Sequence, residues 1–280
     1  MEKVTIVLPV YNGQDHLTDS IDTIIKQTYS NWELIIVNDC STDKTLRIAE
    51  EYEQKDKRIK VISNKQNMKL PKSLNIGFEN ATGEFYTWTS DDNKYSENAL
   101  EVMVNYLKNN ADYGMVYCDM RLIDKYGTVI KENPLPEPEN IIFANTVGGC
   151  FLYRSDIAKK VGEYDDTLFL AEDYEYWLRI YQNTKIKHIS QTCYEYRCHE
   201  KSLSGTRNQD IKRQTAKVWK KHYAFIRAHL LDKKERYQFW DQYMEFADID
   251  ERKILLSQIR RECKQYILHY RLKYKVLKGN

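Results

Sequence analysis

Residues 4–10 read VTIVLPV, seven consecutive positions without a charge, and the stretches that follow them decide the architecture. A continuous apolar run of this length is what a strand buried on both faces requires. It is followed by a helical pattern with Leu17, Ile21, Ile24 and Ile25 on one side, and then by a second apolar run, ELIIVND, over 33–39. Ser41 and Thr42 are placed to cap the helix KTLRIAEEYEQK. KVIS (60–63) reads as a third strand, and a helix begins near Pro71, where proline suits a first turn. Gly83 ends that helix, EFYTWTS forms the fourth strand, and Ser96 opens the helix ENALEVMVNYLKNN. Strand and helix alternating four times predict an α/β fold, with a mostly parallel sheet covered by helices on both faces.

The second half is less regular. MVYCDMRLIDKYGTVIKE predicts a hairpin turning at Lys125-Tyr126-Gly127, and NPLPEPEN (133–140) a proline-rich loop. GGCFLYR (148–154) reads as a strand preceded by glycines, and EDYEYWLRIYQN (172–183) as a helix that turns Tyr176, Trp177, Ile180 and Tyr181 to the core. From Asn208 onward the pattern is helical. The expected division is therefore a catalytic-type domain over 1–205 and a helical C-terminal extension over 206–280.

Of the 280 residues 42% are hydrophobic and 30% charged, a balance that suits a globular chain with a sizeable core. The formal net charge of +2 names no partner, although residues 251–280 hold nine Lys and Arg against two Glu. Six cysteines without a CxxC pair read as reduced thiols, hence a cytoplasmic protein. No segment approaches the ~18 uninterrupted apolar residues of a membrane span.

Chemistry is concentrated at strand ends, where open α/β sheets bind ligands. Pro9, Tyr11 and Asn12 follow the first strand, Asp39 the second, and Asp91-Asp92 the fourth. Neither GxGxxG nor GxxxxGK[ST] occurs, so no glycine loop cradles a phosphate. Carboxylates repel phosphate unless a divalent cation lies between them, and Mg2+ or Mn2+ takes one or two carboxylates together with diphosphate oxygens. Alone, the Asp91-Asp92 dipeptide fits better as a solvated cap for the helix near Ser96. Its place beside two other strand-end clusters favours a cation and a nucleotide diphosphate.

VTIVLPVYN, LIIVNDCSTDKT, TWTSDD and LAEDYEYWLRI, in that order, resemble the family 2 glycosyltransferases, inverting enzymes of GT-A fold, from residue 3 to about residue 205. The resemblance implies transfer of a sugar from a nucleotide-diphosphate donor, UDP foremost, to an acceptor hydroxyl. It implies that Pro9, Tyr11 and Asp39, with Asn12 beside them, hold base and ribose. It places Asp91 near the ribose and makes Asp92 the ligand of Mn2+ or Mg2+. NMKLPKSLNIGF (67–78) matches the segment that closes over the nucleotide, with Lys69 where the family often has glycine and Leu74 where it often has arginine. Asp173 matches the catalytic base and Glu172 its neighbour and possible substitute. YRCHEKSLSGTR (196–207) resembles a segment that brings His199 to the diphosphate or metal and Arg197 or Lys201 to phosphate oxygens. Gly148 and Gly149 are expected either to let backbone approach the donor or acceptor, or to make a tight turn.

Leu255, Ile259, Cys263, Tyr266, Tyr270, Tyr274 and Leu277 recur at spacings of three and four among basic residues. Such a helix would lie on an anionic membrane near a lipid-linked acceptor, or pack on the protein or in a homodimer. Nucleic acid is disfavoured, because no basic face accompanies it in the first 205 residues. Two other classes compete with a bacterial polysaccharide or lipid-linked-oligosaccharide transferase. A nucleotidyltransferase would need a Gly/Arg/Lys-rich loop where PVYNGQDH stands. An inactive GT-A-like assembly module would have lost Asp92 or Asp173, and both are present.

Overall fold

In the computed structural model, residues 2–253 are described, apart from 201, 231 and 251. The C-terminal stripe from Leu255 to Leu277 and the candidate Lys201 lie outside the described residues. The chain divides after Thr206 into two compact units.

In the first unit β1 (Val4–Val10), α1 (Leu17–Ile25), β2 (Trp32–Asn38), α2 (Thr45–Lys55), β3 (Ile59–Ser63), α3 (Lys69–Glu79) and β4 (Phe85–Trp88) follow one another as the apolar runs dictate. Next come β5 (Lys94–Tyr95), α4 (Ala99–Asn109), β6 (Tyr113–Ile123), β7 (Val129–Asn133), β8 (Phe151–Arg154), α5 (Ser155–Val161), α6 (Glu172–Tyr181), β9 (Lys185–Arg197) and α7 (Leu203–Thr206). The strands form one sheet in the order β3-β2-β1-β4-β8-β6-β9-β5, with β7 paired to β6. β3, β2, β1 and β4 run parallel, and every residue of β1 is buried because helices cover both faces. Beyond β4 the sheet turns mixed, since β8 is antiparallel to both β4 and β6 while β9 runs parallel to β6. The sheet, parallel from β3 to β4 and mixed beyond, agrees with the expected α/β fold.

Sequence reading missed β9, a thirteen-residue strand whose polar and apolar residues do not alternate cleanly, and the short α5. Ser41 and Thr42 do not cap α2. The Asp43 carboxylate accepts from the Thr45 N–H at 3.0 Å instead, leaving Ser41 and Thr42 for the loop after β1. α4 starts at Ala99 rather than at Ser96.

The second unit holds α8 (Asn208–Lys221), α9 (Tyr223–His229) and α10 (Lys233–Phe246). Its centre is Trp219, fully buried, with Phe239 and Phe246 at ring distances of 5.4 and 5.2 Å. Asp232 and Glu235 cap α10 reciprocally. Among the described residues no helix is long and apolar enough to cross a membrane.

Candidate active site

The pairings Val10↔Asn38 and Val7↔Trp88 bring the C-terminal ends of β1, β2 and β4 side by side. Three loops interlock beyond them. Asn12 takes a left-handed backbone (φ 55), donates its N–H to Ser41 Oγ at 3.0 Å and accepts from the Thr42 N–H at 2.8 Å. A side chain on Gly13 would come within 1.9 Å of Asp91 Oδ2, so glycine is what leaves room for that carboxylate. Pro9 is buried within β1, whereas the Tyr11 ring at its tip is half exposed.

Asp39 is buried and fully engaged with the chain. Its Oδ1 accepts from Met68 N–H at 2.7 Å and Asn64 Nδ2 at 2.8 Å, and its Oδ2 from Lys69 N–H at 2.8 Å. The carboxylate thus pins the start of α3, holding Lys69 at φ 67. That anchoring role adds to the base-recognition role expected from the resemblance.

Asp91 and Asp92 share the turn after β4. Burial first, and the Asp92 charge second, push the Asp91 carboxyl up to about 7. Asp92 Oδ1 accepts from Ser90 Oγ at 2.6 Å, and its Oδ2 lies 2.8 Å from His199 Nε2. The His16 ring stands 5.6 Å from that of His199, and burial holds its pKa below the usual histidine range. Arg197 does not face this space. Its guanidinium is buried and donates to the carbonyls of Asp92 (2.8 Å) and Lys125 (3.1 Å) and to Asp19 Oδ2 (3.2 Å). The expected phosphate contact is therefore replaced by a brace that ties the Asp92 turn to the β6–β7 turn and α1.

The second acidic pair opens α6. Glu172 is buried, and its Oε2 accepts from Leu170 N–H at 2.7 Å, holding Leu170 at φ 79. Burial and the adjacent Asp173 push the Glu172 carboxyl up to about 8. It is turned inward and does not stand in for Asp173. Asp173 is partly exposed, and its Oδ1 accepts from Tyr174 N–H at 2.7 Å while its Oδ2 accepts from Asn145 Nδ2 at 2.7 Å. Burial raises its pKa and these two donors lower it. The net direction for Asp173 is upward, so both carboxyls of the pair are raised and they titrate as a pair.

Two contacts join these walls. Lys69 Nζ lies 5.5 Å from the Phe169 ring centroid, which links the loop held by Asp39 to the segment that enters α6. Trp88 Nε1 donates to the Tyr164 hydroxyl at 3.1 Å, and the Asp173 charge acts on that same phenol. All four non-glycine residues with positive φ among those described, Asn12, Cys40, Lys69 and Leu170, lie on these loops. Strain of this kind, of order 1–3 kcal/mol per residue, gathers at functional sites.

Gly148 and Gly149 make their close approaches to protein. Added side chains would meet Leu135 Cδ1 at 2.8 Å and Tyr194 Cε1 at 2.6 Å, and Gly148 has φ 66. The positive φ of Gly148 fits the tight-turn alternative. Sequence reading overlooked Asn145, which carried no motif, and Gly13, whose role depends on a residue 78 positions away.

A divalent cation fits the donor set at Asp92. A carboxylate oxygen and an imidazole nitrogen already stand at hydrogen-bonding distance, and the like-charge Asp91-Asp92 turn is one that a cation would relieve. Among the described residues no three His, Cys, Asp or Glu side chains gather to cage an ion, so the remaining ligands would come from diphosphate and water.

The profile of glycosyl transferase family 2 matches residues 5–162. A glycosyltransferase of Rickettsia typhi, itself uncharacterized, is 30% identical over 228 residues, covering 77% of this chain and 70% of its own. A UDP-Glc:α-D-GlcNAc-diphosphoundecaprenol β-1,3-glucosyltransferase of Escherichia coli is 29% identical over 215 residues, covering 75% and 83%. Among solved structures, a mannosyltransferase from Pyrobaculum calidifontis in complex with GDP-Man and Mn2+ superposes with a TM-score of 0.64 at 16% identity, covering 95% of this chain and 82% of that one. At that identity the likeness establishes the fold alone.

Proposed function

The chain belongs to glycosyl transferase family 2, and from that premise we propose that it transfers a hexosyl or N-acetylhexosaminyl group, with inversion, from a UDP-sugar to a hydroxyl of a lipid-linked oligosaccharide or surface polysaccharide. The name of the Escherichia coli relative supports both the UDP donor and the diphosphate-lipid acceptor.

One observation carries the reading. Asp92 meets an imidazole that can itself ligate a cation, whereas the hydrogen bonds to the Asp173 carboxylate come from the Tyr174 N–H and the Asn145 amide. In the proposed reaction Asp173 accepts the proton of the acceptor hydroxyl as its oxygen bonds to the anomeric carbon and the bond to the diphosphate breaks. Tyr11 supplies an exposed ring for the base, and Asp39 holds the loop that flanks it. Asp91 lies against Gly13 on the ribose side, and its neutralisation near pH 7 limits charge repulsion with the nucleotide. Asp92 and His199 would hold Mn2+ or Mg2+, which supplies positive charge for the departing diphosphate.

A thermal-shift panel of nucleotide sugars with and without Mn2+, followed by turnover of the hits, tests this. A UDP-sugar in Mn2+ is expected to stabilise the protein by ~2.7 kcal/mol at a hundredfold excess over its dissociation constant. Absence of any shift across UDP-, GDP- and dTDP-sugars, with no transfer, would overturn the reading.

A further inference from the structure

We propose that Asn145 is the positioning residue of the base: its amide, with the Tyr174 N–H, clamps the two oxygens of Asp173 so that the carboxylate meets the acceptor hydroxyl in one orientation. The inference rests on the proposed role of Asp173 and extends it to a residue outside every motif of the sequence.

The geometry is over-determined. Asn145 Oδ1 accepts from the Val147 N–H at 3.3 Å, which fixes which end of the amide points away and turns Nδ2 to Asp173 Oδ2 at 2.7 Å. Thr146 and Val147, both buried, anchor the next two positions, so an exposed Asn145 stands on a fixed backbone. The segment leading to it is tied down in turn. Leu135 N–H donates to Asp119 Oδ1 at 2.7 Å, His188 Nδ1 lies 3.0 Å from Glu137 Oε1, and the Tyr174 hydroxyl donates to the Ile141 carbonyl at 2.8 Å. Tyr174 therefore contributes twice: its backbone holds one oxygen of Asp173, and its side chain holds the segment that holds the other.

The chemistry requires such a clamp. A base in a partly buried site beside a second carboxyl tends to stay protonated, and N–H donors to the ionised form oppose this. The titratable groups facing Asp173 are Glu172 on its own helix and the Tyr164 phenol from the preceding loop. The segment from Leu135 to Val147 brings it a neutral amide. Asparagine is specific here, because an aspartate of equal size would offer an oxygen where Asp173 needs a donor.

The test uses the full chain with Asn145→Leu and Asn145→Asp, both near-isosteric at an exposed position. The pH dependence of kcat, at saturating donor in Mn2+, reports the base in the bound enzyme. Loss of the donor should move the acidic limb up by about one pH unit in Asn145→Leu, and further in Asn145→Asp, with activity recovering as pH rises. A loss that is equal at every pH, with the limb unmoved, would overturn the proposal while leaving the transferase reading intact. Carbon-13 NMR titration of the Asp173 carboxyl, assigned with Asp173→Asn, reads the same shift without turnover. If the wild type transfers no sugar, the functional reading fails by itself, and an unmoved Asp173 midpoint in Asn145→Leu would reject the clamp as well.

Discussion

Two adjacent acidic pairs, Asp91-Asp92 and Glu172-Asp173, look alike in the sequence and differ in the company the fold gives them. Burial and the neighbouring charge push Asp91 up to about 7 and Glu172 up to about 8, and burial raises Asp173 as well. In each pair, the proposed reading gives the chemistry to the second member. Asp92 Oδ2 lies 2.8 Å from His199 Nε2, a ring nitrogen that could ligate a cation once it gives up the proton of that hydrogen bond. Asp173 lies between a backbone N–H and the Asn145 amide, which can only donate to it. In the proposed reading the same dipeptide chemistry serves a cation site in one place and a proton acceptor in the other, and the partner rather than the pair decides which.

The comparison can be broken most sharply at Asp173. Asp173→Asn should lower kcat by about 10²–10⁴-fold while leaving donor binding in place, measured by steady-state kinetics and calorimetry. Near-normal turnover would remove Asp173 from the base role and leave the two pairs undistinguished.

A smaller effect is expected at Asp91. Its folded-state value lies above the ordinary 3.8, so the carboxyl favours folding at low pH, and that contribution is lost as pH rises through about 7. Asp91→Asn should accordingly raise Tm by several degrees at pH 8, at about 2–4 °C per kcal/mol, and change little near pH 4. A Tm gain independent of pH would show that the carboxyl is not the source of the destabilisation.

The smallest effect concerns the left-handed residues that buried carboxylates hold. Asp39 accepts the N–H of Lys69 much as Glu172 accepts that of Leu170. Lys69→Gly relieves the positive φ but gains chain entropy in the unfolded state, for a net stabilisation of roughly 0.5 kcal/mol. Chemical denaturation reads it, and a loss of stability would mean that the Lys69–Phe169 contact outweighs the strain.

The two walls were unequally legible in the sequence. β1, β2 and β4 announce themselves as apolar runs because both faces of a parallel sheet are buried, and their ends located Tyr11, Asp39 and Asp92 by topology alone. α6 was equally visible as a helix, whereas its acidic pair drew notice only through the family resemblance. The segment from Leu135 to Val147 was not, because it is held by side-chain bonds to Asp119, His188 and Tyr174, which leave no periodic trace. Asn145 was missed for that reason. Arg197 was misread for a related one: a basic residue at the end of a strand gives no sign, in sequence, of whether it points outward to phosphate or inward to three backbone carbonyls and Asp19.

The central claim, that the first pair grips the donor through a cation and the second performs the proton transfer, meets its most direct test in calorimetric titration of a UDP-sugar in Mn2+ into Asp92→Asn and Asp173→Asn side by side. The account predicts an affinity about ten- to a hundredfold weaker for Asp92→Asn, insensitive to Mn2+, and a near-wild-type affinity for Asp173→Asn. Equal loss in both variants, or undiminished Mn2+-dependent binding in Asp92→Asn, would contradict it.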